Sequence, residues 1–430
     1  MNKPKVLIVG PFCNLSGYSE HARTLVDSLI QSQDKIDLYL QDTQWAASSR
    51  VTKYESKYRD LINKTVHLIN SQPKTPDGSV NISGLFAMTY QVRPPNEFAQ
   101  MSPHDIGVTA ALETTFAPAE WVSKCNMMRH ILVVSNHAKE NLKNTTDSNG
   151  TKISTPVSVI PFGHNASAER DKIYQDVNIT TKFNFLTVLQ MAPRKNFDNM
   201  LRWFIESFKD NDEVGLFVKT HQHNNSTIDF YATMQRLKAM LDNIDPNRKC
   251  KIYFIHGSLT EEQMESLYDP EYIDCYITAT HGEGFGIPVF KAACNQIPII
   301  ATNWSGHLDF LRAPSKNKAG RVKHKSHFLK VDYDLDVVKT EHLMPGLITE
   351  GCIWAYPREQ SFKKNMSFIY KNKESFTNDA NSLASYLTEK YSIKNIQNQY
   401  LNFNEEQISP YLQKLEEYEN EVDSLLDDLI

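Results

Sequence analysis

Long hydrophobic runs are missing from this 430-residue chain. None approaches the roughly 18 apolar residues that a membrane-crossing helix needs, and mean hydropathy is −0.46, which excludes a helical membrane span. The apolar run at residues 6–9 is too short for the core of a secretory leader and reads as a first buried strand. Cysteine is sparse: Cys13, Cys125, Cys250, Cys275, Cys294 and Cys352 include no CxxC or zinc-knuckle pair. Such spacing argues against a structural metal site and a disulfide scaffold, and the six read as reduced thiols of a cytoplasmic protein. No GxGxxG turn follows the first run, which disfavours a nicotinamide dinucleotide. Internal repeats and low-complexity tracts are absent. Positive charge is not in excess, with 46 Lys and Arg against 51 Asp and Glu and a net charge of −5. A uniform field for coating nucleic acid is thereby excluded, whereas a local basic groove is not.

What is present is 40 % hydrophobic and 23 % charged, the balance of a globular protein. A single core stops growing well below this length, so two domains of roughly 200 residues each are expected. Short apolar runs alternate with amphipathic stretches. The first series lies at 6–9, 36–40, 66–69, 85–87, 106–112, 131–134 and 157–160. The second lies at 185–189, 215–218, 252–255, 273–277 and 297–301. Uninterrupted runs of this length suit strands buried on both faces, and the helical stretches between them suit parallel sheets with crossover helices. One such helix opens with a capping box, Thr260 followed by Gln263. The fold class predicted is α/β, with two doubly wound, Rossmann-like domains facing across a cleft. Their predicted boundaries are 1–165 and 182–375, with a polar linker at 161–181. A helical segment follows at 376–430, acidic from Glu405 onward, which reads as a solvated outer face. In doubly wound sheets ligands bind at the carboxyl ends of the strands, so the loops after these runs should hold the chemistry.

Ser16-Gly17 stands just before the first helix, where a glycine lets backbone N–H groups approach an anion; a plain turn is the alternative. The run ending at Leu112 delivers Glu113 to the cleft, either for acid–base work and sugar hydroxyls or as a solvated neighbour of a Thr115 cap. Ser135-Asn136 suits a cap for the helix at His137. Met191-Ala192-Pro193-Arg194-Lys195-Asn196 opens the second series with a guanidinium fork beside an ammonium, a pair suited to a diphosphate. Lys219 is a weaker candidate for the same role. The most informative stretch is Thr280-His281-Gly282-Glu283-Gly284-Phe285-Gly286-Ile287-Pro288, where three glycines surround a glutamate and an aromatic before a helix begins. Exposed amides and the helix dipole make an anion-binding end, and Glu283 can accept hydrogen bonds from sugar hydroxyls.

Ser16-Gly17, Arg194-Lys195-Asn196, Glu283-Gly284-Phe285-Gly286-Ile287-Pro288, Asn303-Trp304-Ser305-Gly306-His307 and Trp354-Ala355-Tyr356-Pro357 together resemble a GT-B-fold retaining glycosyltransferase of the family 4 type (glycosyl transferases group 1), over nearly the whole chain. The resemblance implies a hexosyl- or pentosyltransferase. Its UDP- or GDP-sugar donor would bind the second domain, its acceptor the first, and a C-terminal helix would pack back on the first. It implies no metal and no cofactor, because basic side chains and helix-end amides neutralise the leaving diphosphate. Carried over by position, the catalytic set is Glu283, Lys195, Arg194 and Glu113. Lys195 and Arg194 hold the diphosphate, Gly17 brings amides to the same phosphates, and Glu283 contacts the donor sugar with the amides of Gly284, Phe285, Gly286 and Ile287 nearby. Glu113 falls in the acceptor-side region. Retention is pictured as front-face attack in which the departing phosphate takes the acceptor's proton, leaving positioning and charge stabilisation to the enzyme.

Two features stand apart. The family pattern is Glu, seven residues, Glu, and here the second position is Lys291. The usual glutamate accepts hydrogen bonds from the donor ribose, whereas an ammonium only donates. Lys291 therefore marks an altered donor site, and a catalytically silent nucleotide-sugar-binding protein becomes an alternative reading. The second feature is a stretch holding Arg312, Lys316, Lys318, Arg321, Lys323, Lys325 and Lys330 with His324 and His327 and no acidic residue. It reads as a solvated loop or, more sharply, as a site for an anionic acceptor such as a lipid phosphate, an acidic glycan or DNA. The preferred acceptor is a saccharide or lipid-linked saccharide. The runner-up is a hydroxymethylated pyrimidine in DNA, the substrate of phage-encoded proteins like this family. An epimerase of the same fold fits the Arg194-Lys195-Asn196 and Glu283–Pro288 motifs less well.

Overall fold

The computed structural model describes residues 3–46, 48–76, 78–166, 170–171, 173–175, 177–316 and 321–427. Its first sheet is built from β1 (Lys5–Gly10), β2 (Asp37–Asp42), β3 (Met88–Val92), β4 (Asp105–Thr109), β5 (His130–Val133) and β6 (Val157–Val159). These strands pair in parallel in the order β2-β1-β3-β4-β5-β6. Val6, Leu7, Ile8 and Val9 of β1 are buried on both faces of the sheet, which is why the sequence shows a continuous run there. The connecting helices are α1 (Gly17–Leu29), α2 (Thr52–Asn70), α3 (Trp121–Asn126) and α4 (Asn136–Lys143).

Two expected strands are corrected. The run at 66–69 is the last turn of α2. Leu61, Ile62, Thr65 and Leu68 recur at helical spacing on its inner side, while Val66 is 51 % exposed. The true third strand begins at Met88, directly after the 85–87 run. Its apolar pattern is interrupted by the fully buried Thr89 and Gln91, so it does not read as an apolar run. The run at 106–112 also outlasts its strand, since β4 stops at Thr109 and Ala111 turns to φ 53°.

The second domain repeats the plan. Its strands are β7 (Phe183–Gln190), β8 (Val214–His221), β9 (Lys251–Ile255), β10 (Cys275–Ile277) and β11 (Ile299–Thr302), with α5 (Phe197–Phe208), α6 (Thr227–Ile244), α7 (Glu261–Ser266), α8 (Ile287–Cys294) and α9 (Leu308–Leu311) between and after them. A hairpin, β12 (Arg312–Lys316) with β13 (Val322–Ser326), precedes the sixth strand, β14 (Leu329–Val331). The sheet order is β14-β11-β10-β7-β8-β9, the doubly wound order in which the winding reverses between β7 and β10. A second hairpin, β15 (Tyr333–Val337) with β16 (Ile353–Pro357), closes the domain.

Three helices end the chain: α10 (Glu359–Asn372), α11 (Glu374–Lys390) and α12 (Ile393–Asp427). The segment predicted as one returning unit divides between the domains. α11 packs on α8 of the second domain, and only α12 crosses back to lie against α1. There Tyr400 Oη is hydrogen-bonded to His21 Nε2, and Tyr90 Oη donates to Asn404 Oδ1 at 3.1 Å. The two chain crossings run side by side, with His164 N donating to Tyr391 O at 2.7 Å and Ile393 N to His164 O at 2.8 Å. The polar linker carries apolar anchors, since Phe162 and Tyr174 are buried and Tyr174 stacks on Tyr272. All six cysteines are buried and none is disulfide-bonded. Among the described residues, no helix is long and apolar enough to cross a membrane.

Candidate active site

The reversal between β7 and β10 leaves a crevice, and the loops that follow these two strands fill it. After β7, Pro193–Lys195 forms a single 3-10 turn and Asn196 takes the left-handed conformation at φ 52°. Asparagine tolerates that backbone, and its Nδ2 donates to Ala279 O at 3.0 Å. His281 N donates to Arg194 O at 2.8 Å, so the two loops are tied backbone to backbone. Arg194 and Lys195 are thereby aimed at the start of α8.

After β10, the Thr280–Gly286 loop is held from behind by the loop after β11. Glu283 N donates to Ser305 Oγ at 2.8 Å, and Gly306 N donates to Glu283 O at 2.9 Å. The approach is so close that a Cβ on Gly306 would stand 2.0 Å from Gly284 O. Gly286, at φ 93°, then caps α8. His281 is fixed by stacking on Trp354 with ring centres 5.3 Å apart, and its Nδ1 lies 2.8 Å from Ala355 O.

Four side chains named from sequence meet at this point. Lys195 Nζ donates to both Glu283 oxygens, at 2.6 and 2.8 Å. Arg194 Nη1 donates to Gly282 O and lies 3.4 Å from Glu283 Oε2. Arg194 Nη2 reaches across the cleft to Glu113 Oε1 at 3.1 Å. Glu283 is buried, its side chain 9 % exposed. Burial alone would raise its carboxyl, but the Lys195 ammonium and the Arg194 guanidinium outweigh burial and hold it down to about 2. Burial opposes the charge of Arg194 as well, and Glu113 with Glu283 more than restores it.

The first domain sits directly on this loop. Ser135 Oγ, while capping α4, donates to Gly284 O at 2.6 Å, and Asn136 N donates to Asp309 Oδ2 at 2.7 Å. The first residue of α1, Gly17, faces the first residue of α8, with Ile287 Cδ1 3.5 Å from where a Gly17 Cβ would be. Two helix N-termini thus face one cleft. The ring of Phe285 packs on Phe162, Phe290 and Phe310 in the core, so what Phe285 brings to the loop is its backbone. Lys291 lies outside the four-membered cluster and donates to Glu265 Oε1 of α7. Lys219 is also outside it; it is buried beside Asn225 Oδ1 at 3.3 Å, and burial lowers it to about 8 against the pull of Asp229.

The basic stretch up to Lys325 belongs to the β12–β13 hairpin beside α11, and Lys330 lies on β14. Lys325 Nζ is ion-paired with Asp379 at 2.6 Å, and Arg312 Nη2 donates to Asn303 Oδ1 at 3.3 Å. Arg321 and Lys323 are exposed. Lys316 is described only in its backbone, and Lys318 lies outside the described residues. Two partners around the site, Asp309 and Glu265, were missed from sequence, and Ser305 was named only within a motif, without a role. The one available signal was Lys291 itself, since a lysine on the inner side of a helix needs an acidic partner.

No family model matches the chain, and no curated protein matches it. Solved structures do match, and with the two facing sheets they define the fold as GT-B. HepE from Anabaena, solved with UDP and glucose, superposes with a TM-score of 0.59 at 11 % identity, covering 94 % of this chain and all of HepE. Sucrose-phosphate synthase from Thermosynechococcus elongatus gives 0.61 at 10 % identity over 95 % of this chain and 100 % of its own. A glycosyltransferase from Rickettsia africae gives 0.56 at 12 % identity over 95 % and 99 %.

Proposed function

We propose that this chain is a glycosyltransferase that moves a hexose or pentose from a UDP- or GDP-sugar, with retention, to a saccharide or lipid-linked saccharide. One observation carries the reading: Arg194, Lys195, Glu283 and, from the opposite domain, Glu113 converge at the N-terminus of α8 in a switch-point crevice. HepE, solved with UDP and with UDP-glucose, supports placing UDP ahead of GDP.

Glu283 and Glu113 together balance the charges of Lys195 and Arg194. An arriving diphosphate competes for them with more charge and more oxygens, and Glu283 is released to accept hydrogen bonds from the donor sugar. As the bond between the anomeric carbon and the phosphate oxygen breaks, charge grows on that oxygen. Lys195, Arg194 and the first amides of α8 meet it, and removing one such contact costs roughly 10²–10³ in rate. The acceptor hydroxyl attacks from the face the phosphate leaves, and its proton passes to the departing oxygen, so the anomeric configuration is kept. Glu113 orients Arg194 from the acceptor side. This charge balance is met by side chains and amides, without a metal or other cofactor.

The test is a panel of UDP- and GDP-sugars against saccharide and lipid-linked acceptors, with hydroxymethylcytosine duplex DNA as a further arm. Nucleoside diphosphate release, with a product of the donor's anomeric configuration by NMR, is the expected result. Transfer to DNA alone would replace the acceptor. Thermal stabilisation by a donor without release would identify a silent binder, and no stabilisation by any donor would overturn the reading.

A further inference from the structure

Lys291 lies one turn beyond Ile287 on α8, and residues four apart share a helix face. Ile287 meets Gly17 across the cleft, and Glu20, in the first turn of α1, is close enough to act on the Lys291 charge. On its other side it donates to Glu265 Oε1. Glu265 is buried, its side chain 10 % exposed and that of Lys291 22 %. Burial works against the Lys291 charge, but Glu20 and Glu265 outweigh burial and raise it. The ammonium is therefore spent, and what it holds in place is a carboxylate on the wall of the second domain.

That wall has a defined relation to the phosphate end of α8. Four residues at 1.5 Å rise put Lys291 and its partner about 6 Å along the helix from the first amides. A diphosphate at those amides has two ends. Glu113 and Glu283 flank one end, where sugar and acceptor belong. The other end carries the nucleoside, one phosphoester linkage away; of the two α7 carboxylates that act on Lys291, Glu261 is taken by Lys53 and Tyr54 of the opposite domain, which leaves Glu265 for that side. Its two oxygens can accept from two neighbouring hydroxyls, a role closed to Lys291, which has donors only.

Resting on the donor reading above, we propose that Glu265 accepts hydrogen bonds from the 2′- and 3′-hydroxyls of the donor ribose and so selects ribonucleotides, with Lys291 as its positioning residue. Glu20 belongs to the opposite domain and serves the pair only as a counter-charge.

The experiment compares binding of UDP and 2′-deoxy-UDP by calorimetry in wild type, Glu265→Ala, Lys291→Met and Glu20→Gln. Wild type should prefer UDP by about tenfold, the equivalent of one good hydrogen bond. Glu265→Ala should remove the preference by weakening UDP alone. Lys291→Met should erode it while leaving 2′-deoxy-UDP binding unchanged, and Glu20→Gln should preserve it. Equal binding of the two nucleotides by wild type overturns the proposal whether or not the variants fold, as does a preference that survives in Glu265→Ala or disappears in Glu20→Gln. If wild type binds neither nucleotide and GDP also fails, the donor reading itself falls and takes this proposal with it.

Discussion

Lys195 Nζ touches both oxygens of Glu283, and two predictions follow from that pair. If Lys195 passes from Glu283 to the donor diphosphate, Lys195→Ala should lower turnover by roughly 10²–10³-fold with an unchanged circular dichroism spectrum. Wild-type turnover in that variant would remove Lys195 from the mechanism. The second prediction concerns acid. Glu283 is held down to about 2 from an ordinary 4.5, so its charge adds stability above pH 4.5, and that stability is lost as pH falls through about 2. Glu283→Gln should therefore cost about 3–5 kcal/mol at neutral pH, with the gap to wild type in urea unfolding closing between pH 4.5 and pH 2. A gap that stayed constant over that range would mean the pair does not set the charge. Lys291→Glu is a third case, because it restores the familiar Glu-seven-Glu spacing. Glu20, Glu261 and Glu265 already surround this position, so the change should lower the melting temperature and weaken donor binding rather than improve it. Arg194, Lys195 and Glu283 were legible because adjacent cations and alternating glycines are local patterns. Glu265 was not, because its role depends on a partner 26 residues away.

Two elements, the glycine loop before α8 and the loop after β11, are packed backbone to backbone, and the glycines within them separate folding from closure. A Cβ on Gly306 would lie 2.0 Å from Gly284 O and 2.8 Å from Glu283 O, with no flexible side chain to yield. Gly306→Ala should push the loop outward, move Glu283, and lower both the melting temperature and donor affinity. Gly284 is different, since its added Cβ would meet Ala110 O of the opposite domain at 3.1 Å. That contact can be relieved by opening the cleft. Gly284→Ala should therefore spare the melting temperature and donor binding while lowering kcat, and an equal loss in all three would show that the clash is not relieved between domains. At this scale the strands buried on both faces were readable as apolar runs, and the capping box at Thr260 and Gln263 is present as its spacing predicts. What misled was composition within elements. Buried Thr89 and Gln91 hid β3, and an apolar cluster at the end of α2 imitated a strand until the helical period was followed through it.

Across the whole molecule, the two domains are joined by contacts that no local pattern announces. Lys53 Nζ reaches Glu261 Oε2 at 2.9 Å, Trp121 Nε1 donates to Gly346 O at 3.0 Å, and Asn136 is bonded to Asp309. Pairings at such separations depend on tertiary docking, which is why the alternation of strands and helices predicted two domains but not how they close. The return of α12 was implied by resemblance, whereas its energetic weight comes from the structure. Ile396, Tyr400, Phe403 and Ile408 of α12 are buried against the core of the first domain, among Ala22, Leu25, Tyr90 and Leu132. At about 1.5–3 kcal/mol for each large apolar side chain, these four contribute on the order of 6–12 kcal/mol. A domain's whole net stability is only about 5–15 kcal/mol, so losing this burial should weaken the first domain far more than the second. The second domain makes no comparable use of α12, since α10 and α11 cover it. A chain ending at Tyr391 should therefore lose amide-exchange protection throughout β1–β6 while β7–β11 stay protected, read by hydrogen-exchange mass spectrometry. Tyr400→Ala should show the same asymmetry in milder form, at a cost of about 3–5 kcal/mol, since it removes a buried ring and leaves His21 unpaired. Uniform loss of protection in both sheets would mean that the domains fold as one unit, and protected β1–β6 in the shortened chain would mean that α12 is an appendage.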